Sequence, residues 1–118
     1  MGRTRRPNLQ KVRDSARMKV RFSDAAGAAL EAVLLRIGDA NPFAVRRFRA
    51  RVQSAIKRLS RFPSSGNFVH EYPALRLREF VVEPYRFFYF IDNMASCVRI
   101  VAVWHGAQLP AQPDLAAP

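Results

Sequence analysis

The hydrophobic positions of the chain change rhythm along its length. MKVRFSD opens with a compact strand signal at about Lys19–Phe22, after which Leu30, Val33, Leu34 and Ile37 keep helical spacing on one face. Ser23 and Asp24 stand where a side-chain oxygen can cap that helix, and Gly38 supplies a left-handed stop. Asn41-Pro42 then opens a second helix, with the asparagine as cap and proline at the first helical position. Its stripe of Val45, Phe48, Val52, Ile56 and Leu59 carries it to about Arg61, where Phe62-Pro63 and SSGN end it. Three strand signals follow at about 75–82, 86–91 and 97–103, with a turn at Asp92-Asn93 between the last two.

The order strand-helix-helix-strand-strand-strand predicts a single α+β domain over 18–109, in which a helical hairpin lays both apolar stripes on one sheet. Residues 1–17 hold six Lys or Arg, one Asp and almost no apolar side chains, which predicts a flexible basic leader. Met18, directly before the first strand, is an equally good start. Residues 110–118, rich in proline and alanine, read as a frayed tail.

Composition changes this picture mainly through charge. With 49% hydrophobic and 25% charged residues the chain belongs to the globular class rather than the disordered one. Its net charge of +11 favours a polyanionic or acidic partner. Arg outnumbers Lys seventeen to three, and the planar guanidinium fork suits phosphate and carboxylate. Removing the leader lowers the charge only to +6, because six positive residues and one negative one leave with it. Much of the basic character therefore belongs to the domain. Arg46, Arg47, Arg49, Arg51, Lys57, Arg58 and Arg61 crowd the second helix, either as a solvated flank or as contacts to phosphate or an acidic partner. The lone Cys97 excludes an intrachain disulfide and fits a reducing compartment. No apolar run is long enough to span a bilayer, and the basic start lacks a signal-peptide core, so no membrane association is expected and the cytoplasm is the expected location. His70, His105 and Cys97 show no ligand spacing, so neither metal nor cofactor is expected.

The stretch LRLREFVVEPYRFFYFID, residues 75–92, concentrates the candidate chemistry. Arg76 and Arg78 alternate along one strand and share a face. A three-residue loop, Glu83-Pro84-Tyr85, would set Val82 opposite Arg86 and gather Arg76, Arg78, Phe80, Arg86, Phe88 and Phe90 on that face. Leu75, Leu77, Val81, Phe87, Tyr89 and Ile91 would then lie beneath the helices. A two-residue loop would turn Arg86 to the other side, beside Glu79. Cations interleaved with aromatics suit a nucleotide backbone or an apolar, acidic peptide. The alternative is ordinary core phenylalanine with edge arginines paired to Glu79 and Glu83.

MKVRFSDAA, NPFAVRRFRARVQSAIKRLSRFPSSG, LREFVVEPYRFFYFID and VRIVAVWHGAQ, in this order and spacing, resemble the RelE/ParE superfamily of type II toxin-antitoxin toxins over about 18–109. LREFVV and VWHGA are closest to its ParE-like branch. The resemblance implies a helical hairpin on a mainly antiparallel four-stranded sheet, and a growth-inhibiting toxin neutralised by a cognate acidic antitoxin in a hetero-oligomer. For the ParE-like branch it implies poisoning of DNA gyrase through contacts that the sequence does not reveal. The basic and aromatic residues Arg76, Arg78, Phe80, Arg86, Phe88, Phe90, Arg47, Arg51 and Arg58 are the expected contacts for the antitoxin or a target. For a RelE-like member it implies ribosome-dependent mRNA cleavage, with Arg76, Arg78 and Arg86 stabilising the charged phosphate and His105 as acid or base. The sequence departs from that pattern at Gln108, where an Arg is usual, and in having no Tyr after Tyr89. A degenerate toxin or a plain nucleic-acid-binding module is the remaining reading.

Overall fold

The structure, a computed structural model, describes residues 17–106. The leader apart from Arg17, the tail and Gln108 lie outside the described residues. The elements are β1 (Lys19–Phe22), α1 (Asp24–Ala40), α2 (Pro42–Arg61), β2 (Asn67–Phe68), β3 (Arg78–Val82), β4 (Tyr85–Asp92) and β5 (Cys97–His105), with 3-10 turns at Pro63–Ser65 and Pro73–Leu75. The expected order stands with one strand added. β2, only two residues long, leaves no periodic signal, and it makes the sheet five-stranded in the order β1-β5-β4-β3-β2. β1 runs parallel to β5, and the other pairings are antiparallel.

Local signals set the helix ends. Ser23 caps α1, its Oγ accepting from the Ala26 amide at 3.1 Å. α1 does not stop at Gly38, as the sequence predicted, but continues to Ala40. Asn41 overrides the glycine: its N–H donates to the Ile37 carbonyl at 2.8 Å, while its Oδ1 accepts from the Phe43 and Ala44 amides at 2.9 and 3.1 Å. One residue thus closes α1 and opens α2, so the two helices turn back on each other without a loop.

The sheet is covered on both faces. On one side Val33, Phe48, Val52 and Leu59 of the helices pack on Val82, Tyr85, Phe87, Tyr89, Val98 and Ile100. On the other, Val69 and Leu77 pack on Phe88, Val101 and Ala102, with Tyr72, Leu75, Phe90 and Trp104 around them. The segment between β2 and β3 covers this second layer, which the sequence did not indicate. A bulge between Phe88 and Tyr89 sets Phe88 opposite Ala102 but Tyr89 opposite Ile100, and both Val101 and Ala102 join the second layer.

The β3–β4 hairpin has the two-residue loop. Val82 opposes Tyr85, Val81 opposes Arg86 and Glu79 opposes Phe88. The single basic-aromatic face of the three-residue register therefore does not form. Phe80 stacks on Phe87 at 4.7 Å and 13° against the helix-side core, while Phe88 is fully buried in the opposite layer. Burial accounts for the choice. This register puts Phe80 and Val82 beside Tyr85, Phe87 and Tyr89 under the helices, each large side chain contributing about 1.5–3 kcal/mol when buried. It also takes Arg86 away from two like charges and gives it a carboxylate.

Candidate functional site

Arg86 sits on the face away from the helices, across from Trp104 on β5. Its Nε donates to Glu79 at 2.6 Å, and Nη1 and Nη2 donate to the two oxygens of Glu71 at 2.9 and 3.1 Å. Its guanidinium also lies 4.9 Å from the centre of the Phe88 ring. The hydrogen bonds to Glu71 and Glu79 raise the Arg86 pKa far above its ordinary value. The same contact to Arg86 lowers the pKa of Glu71. Glu79 was a foreseeable partner under this register, whereas Glu71, outside any strand, gave no signal. With three of its five N–H donors on two carboxylates, Arg86 acts as a clamp holding the 69–77 cover on the sheet.

Arg76 and Arg78 do come together, though not as alternating strand residues. β3 begins at Arg78, and Arg76 follows the Pro73–Leu75 turn in the left-handed region, at φ 55°. Holding a non-glycine residue there costs about 1–2 kcal/mol. The ring of Phe68 meets both guanidinium groups, Arg78 at 4.2 Å and Arg76 at 5.9 Å from its centre. Nη1 of Arg78 also donates to the Ser64 and Gly66 carbonyls at 3.1 and 2.8 Å. The two arginines and Phe68 line a cavity of about 350 Å³ with Leu75, Phe90, Ile91 and Asn93. Phe68, half of it exposed, is the residue missed here; it precedes the region where the sequence placed its second strand.

Tyr89 fixes the wall of this site. Its Oη accepts from the Gly66 amide at 2.9 Å and donates to the Pro63 carbonyl at 2.7 Å, tying the exit of α2 to the sheet. Burial raises its pKa, against the opposing effects of the Gly66 amide and Arg78. Gly66 is required by space: a Cβ there would lie 2.5 Å from both the Glu79 carbonyl and Tyr89 Oη.

His105 lies elsewhere. It ends β5 opposite Tyr85 on the helix side, their rings 5.4 Å apart and edge-on, while Arg86 faces the other way. Tyr85 is four residues along β4 from Tyr89, the partner of Arg78, so about 13 Å separates the His105 end from the Arg78 end. Arg76, Arg78, Arg86 and His105 therefore form no common constellation.

Arg47, Arg51 and Arg58 are exposed on α2, a helix with no acidic residue. Arg51 and Arg58 flank a groove of about 290 Å³ whose other wall is Val81 and Val82 of β3. Ala55, Arg58 and Val81 also border a second hollow that runs to Ser65, Gly66 and Asn67. β2 covers only Arg78 and Glu79 of β3, so Phe80–Val82 is a sheet edge along this groove, with Val81 half exposed. Among the described residues no group of three or more His, Cys, Asp or Glu side chains is placed to hold a metal, and no helix is long and apolar enough to cross a membrane.

Comparison with known proteins agrees with the fold. The family described as the ParE toxin of the type II toxin-antitoxin system parDE matches residues 20–110. No curated protein matches the chain. A chain of the crystal structure of the toxin-antitoxin complex RelBE2 from Mycobacterium tuberculosis is similar, at 26% identity and a TM-score of 0.55, over 78% of this chain and 94% of that one. With its helical hairpin laid on a five-stranded sheet and the family match running through every element of it, the chain belongs to the ParE toxin family of type II toxin-antitoxin systems.

Proposed function

We propose that the protein is a ParE-like toxin that arrests growth by trapping DNA gyrase, acting by binding rather than by bond cleavage of its own. The observation that carries this reading is the engagement of Arg86 by Glu71 and Glu79, on the face opposite His105. Cleavage of RNA by attack of a ribose hydroxyl needs cations and an acid/base group around one phosphate. Here the arginine central to that reading is neutralised by two carboxylates, and the histidine, on the neighbouring rung, points to the opposite face of the sheet.

An antitoxin segment keeps the toxin inactive, in line with the toxin-antitoxin complex in which the RelBE2 chain was solved. The groove between α2 and the β3 edge suits it. An extended segment can pair with the open backbone at Phe80–Val82, set apolar side chains against Val81, and bring carboxylates to Arg51 and Arg58.

Purified gyrase with supercoiled plasmid tests the target. The full chain should accumulate enzyme-linked DNA breaks, and addition of antitoxin should abolish them. Absence of breaks, together with cut mRNA on translating ribosomes that Arg76→Ala or Arg78→Ala prevents, would replace this reading with the endonuclease one.

A further inference from the structure

A second basic surface lies on the uncovered corner of the sheet, away from the helices. Val20 and Phe22 of β1 pack into the helix-side core, so Lys19 and Arg21 project from the other face, where both are exposed. Arg21 pairs directly with Arg99 of β5, and Arg99 in turn with Phe90 of β4. Two arginines and a phenylalanine thus stand side by side on adjacent strands, a row about 10 Å wide.

Like charges directly opposite one another destabilise a sheet, which calls for a reason. Charges on an edge strand guard against unwanted pairing, and that accounts for Lys19 and Arg21 on β1. It does not account for Arg99, which lies on an interior strand. Among the described residues Asp92 is the one acid ion-paired with this row, its Oδ2 accepting from Arg99 Nε at 3.1 Å. Neither Lys19, Arg21 nor Arg76 has an ion-pair partner among the described residues. Phe90, half-buried, belongs both to the row and to the wall of the Arg76–Arg78–Phe68 cavity. The row and the cavity therefore meet at Phe90.

We infer that this corner binds a single-stranded polynucleotide, with phosphates along Lys19, Arg21 and Arg99 and one base in the cavity against Phe68 and Phe90. Guanidinium forks hold phosphate oxygens, and aromatic faces stack unpaired bases of any sequence. A duplex hides its base faces and satisfies only the cations. A peptide of acidic residues alone likewise satisfies the cations and leaves the cavity and its rings without a ligand. The inference does not rest on the gyrase reading, and it uses no residue of the α2 groove.

Fluorescence anisotropy of the full chain with labelled twelve-residue oligo-dT and oligo-U tests it. The double variant Lys19→Gln, Arg21→Gln should weaken binding about tenfold, because two phosphate contacts are lost. Arg46→Gln with Arg49→Gln removes the same charge from α2 and should weaken it less than about threefold, the loss due to general field alone. Phe68→Ala, at a ring 46% exposed, should cost about tenfold in binding with only a small fall in the melting temperature. Equal losses from the two double variants would mean binding by net charge and would overturn the inference. So would competition by polyglutamate as effective as by unlabelled oligo-dT, which would assign the corner to an acidic peptide.

Discussion

Replacing Arg86 by Ala separates a structural clamp from a catalytic cation. The side chains of Arg86 and Glu79 are 16% and 18% exposed, so their contact is largely withdrawn from water, while Glu71 is 38% exposed. Removing one partner of a fully buried pair costs about 3–5 kcal/mol, because the other charge is left uncompensated. An exposed pair contributes only about 0–1 kcal/mol. Glu79 falls nearer the first case and Glu71 nearer the second, which sets the loss for Arg86→Ala at about 2–3 kcal/mol. For a domain of this size that is roughly 10–20 °C in Tm. Urea unfolding followed by the fluorescence of Trp104, directly opposite Arg86, measures it at the site. Adding Glu79→Gln should recover part of the loss, since an amide is less costly to bury alone than a carboxylate. A variant as stable as the parent to within about 0.5 kcal/mol, yet without toxicity, would refute the clamp and return Arg86 to a role in contacting the target.

The remaining predictions concern the groove, the wall of the cavity and acid. Arg51→Glu with Arg58→Glu should weaken antitoxin binding at least about tenfold by replacing attraction with repulsion, with unchanged thermal stability; titration calorimetry reads it. Tyr89→Phe should cost about 1–3 kcal/mol in denaturant unfolding, since the Gly66 amide and Pro63 carbonyl both lose their partner. Glu71 and Asp92 both have folded pKa values below their unfolded ones, Glu71 through Arg86, and Asp92 through the Ala95 amide and then Arg99. Their stabilisation is present above the unfolded carboxylate range and is lost as pH falls through it to the folded values. Stability should therefore decline below about pH 4.5, and Glu71→Gln should flatten that decline; an unchanged slope would contradict the Arg86–Glu71 contact.

What the sequence revealed was what local chemistry decides. Ser23, Asn41-Pro42 and the two apolar stripes locate the helices to within a residue or two, because caps and helical spacing act over a few positions. Gly38 misled because a glycine only permits a stop, whereas Asn41, three residues later, supplies the hydrogen bonds that make one. The sidedness of the hairpin was open, since a single residue in its loop exchanges Phe80 and Phe88 between faces and decides whether Arg86 meets Arg78 or Glu79. The second layer was hidden for a related reason. Val69 and Tyr72 belong to a segment without period, Leu77 reads as a strand residue beneath the helices, and they become a cover only when the sheet they cover exists.

The parallel pairing of β1 with β5 gives the molecule an order of assembly. Lys19 meets Cys97 and Phe22 meets Ile100, so the first strand made is hydrogen-bonded in the sheet only to the last. During synthesis the helical hairpin and the β3–β4 hairpin can form from local contacts as they leave the ribosome, but β1 must wait for β5. A nascent chain interrupted before β5 lacks the strand that joins β1 to β4. The finished sheet thus comes into being only once β5 has been made.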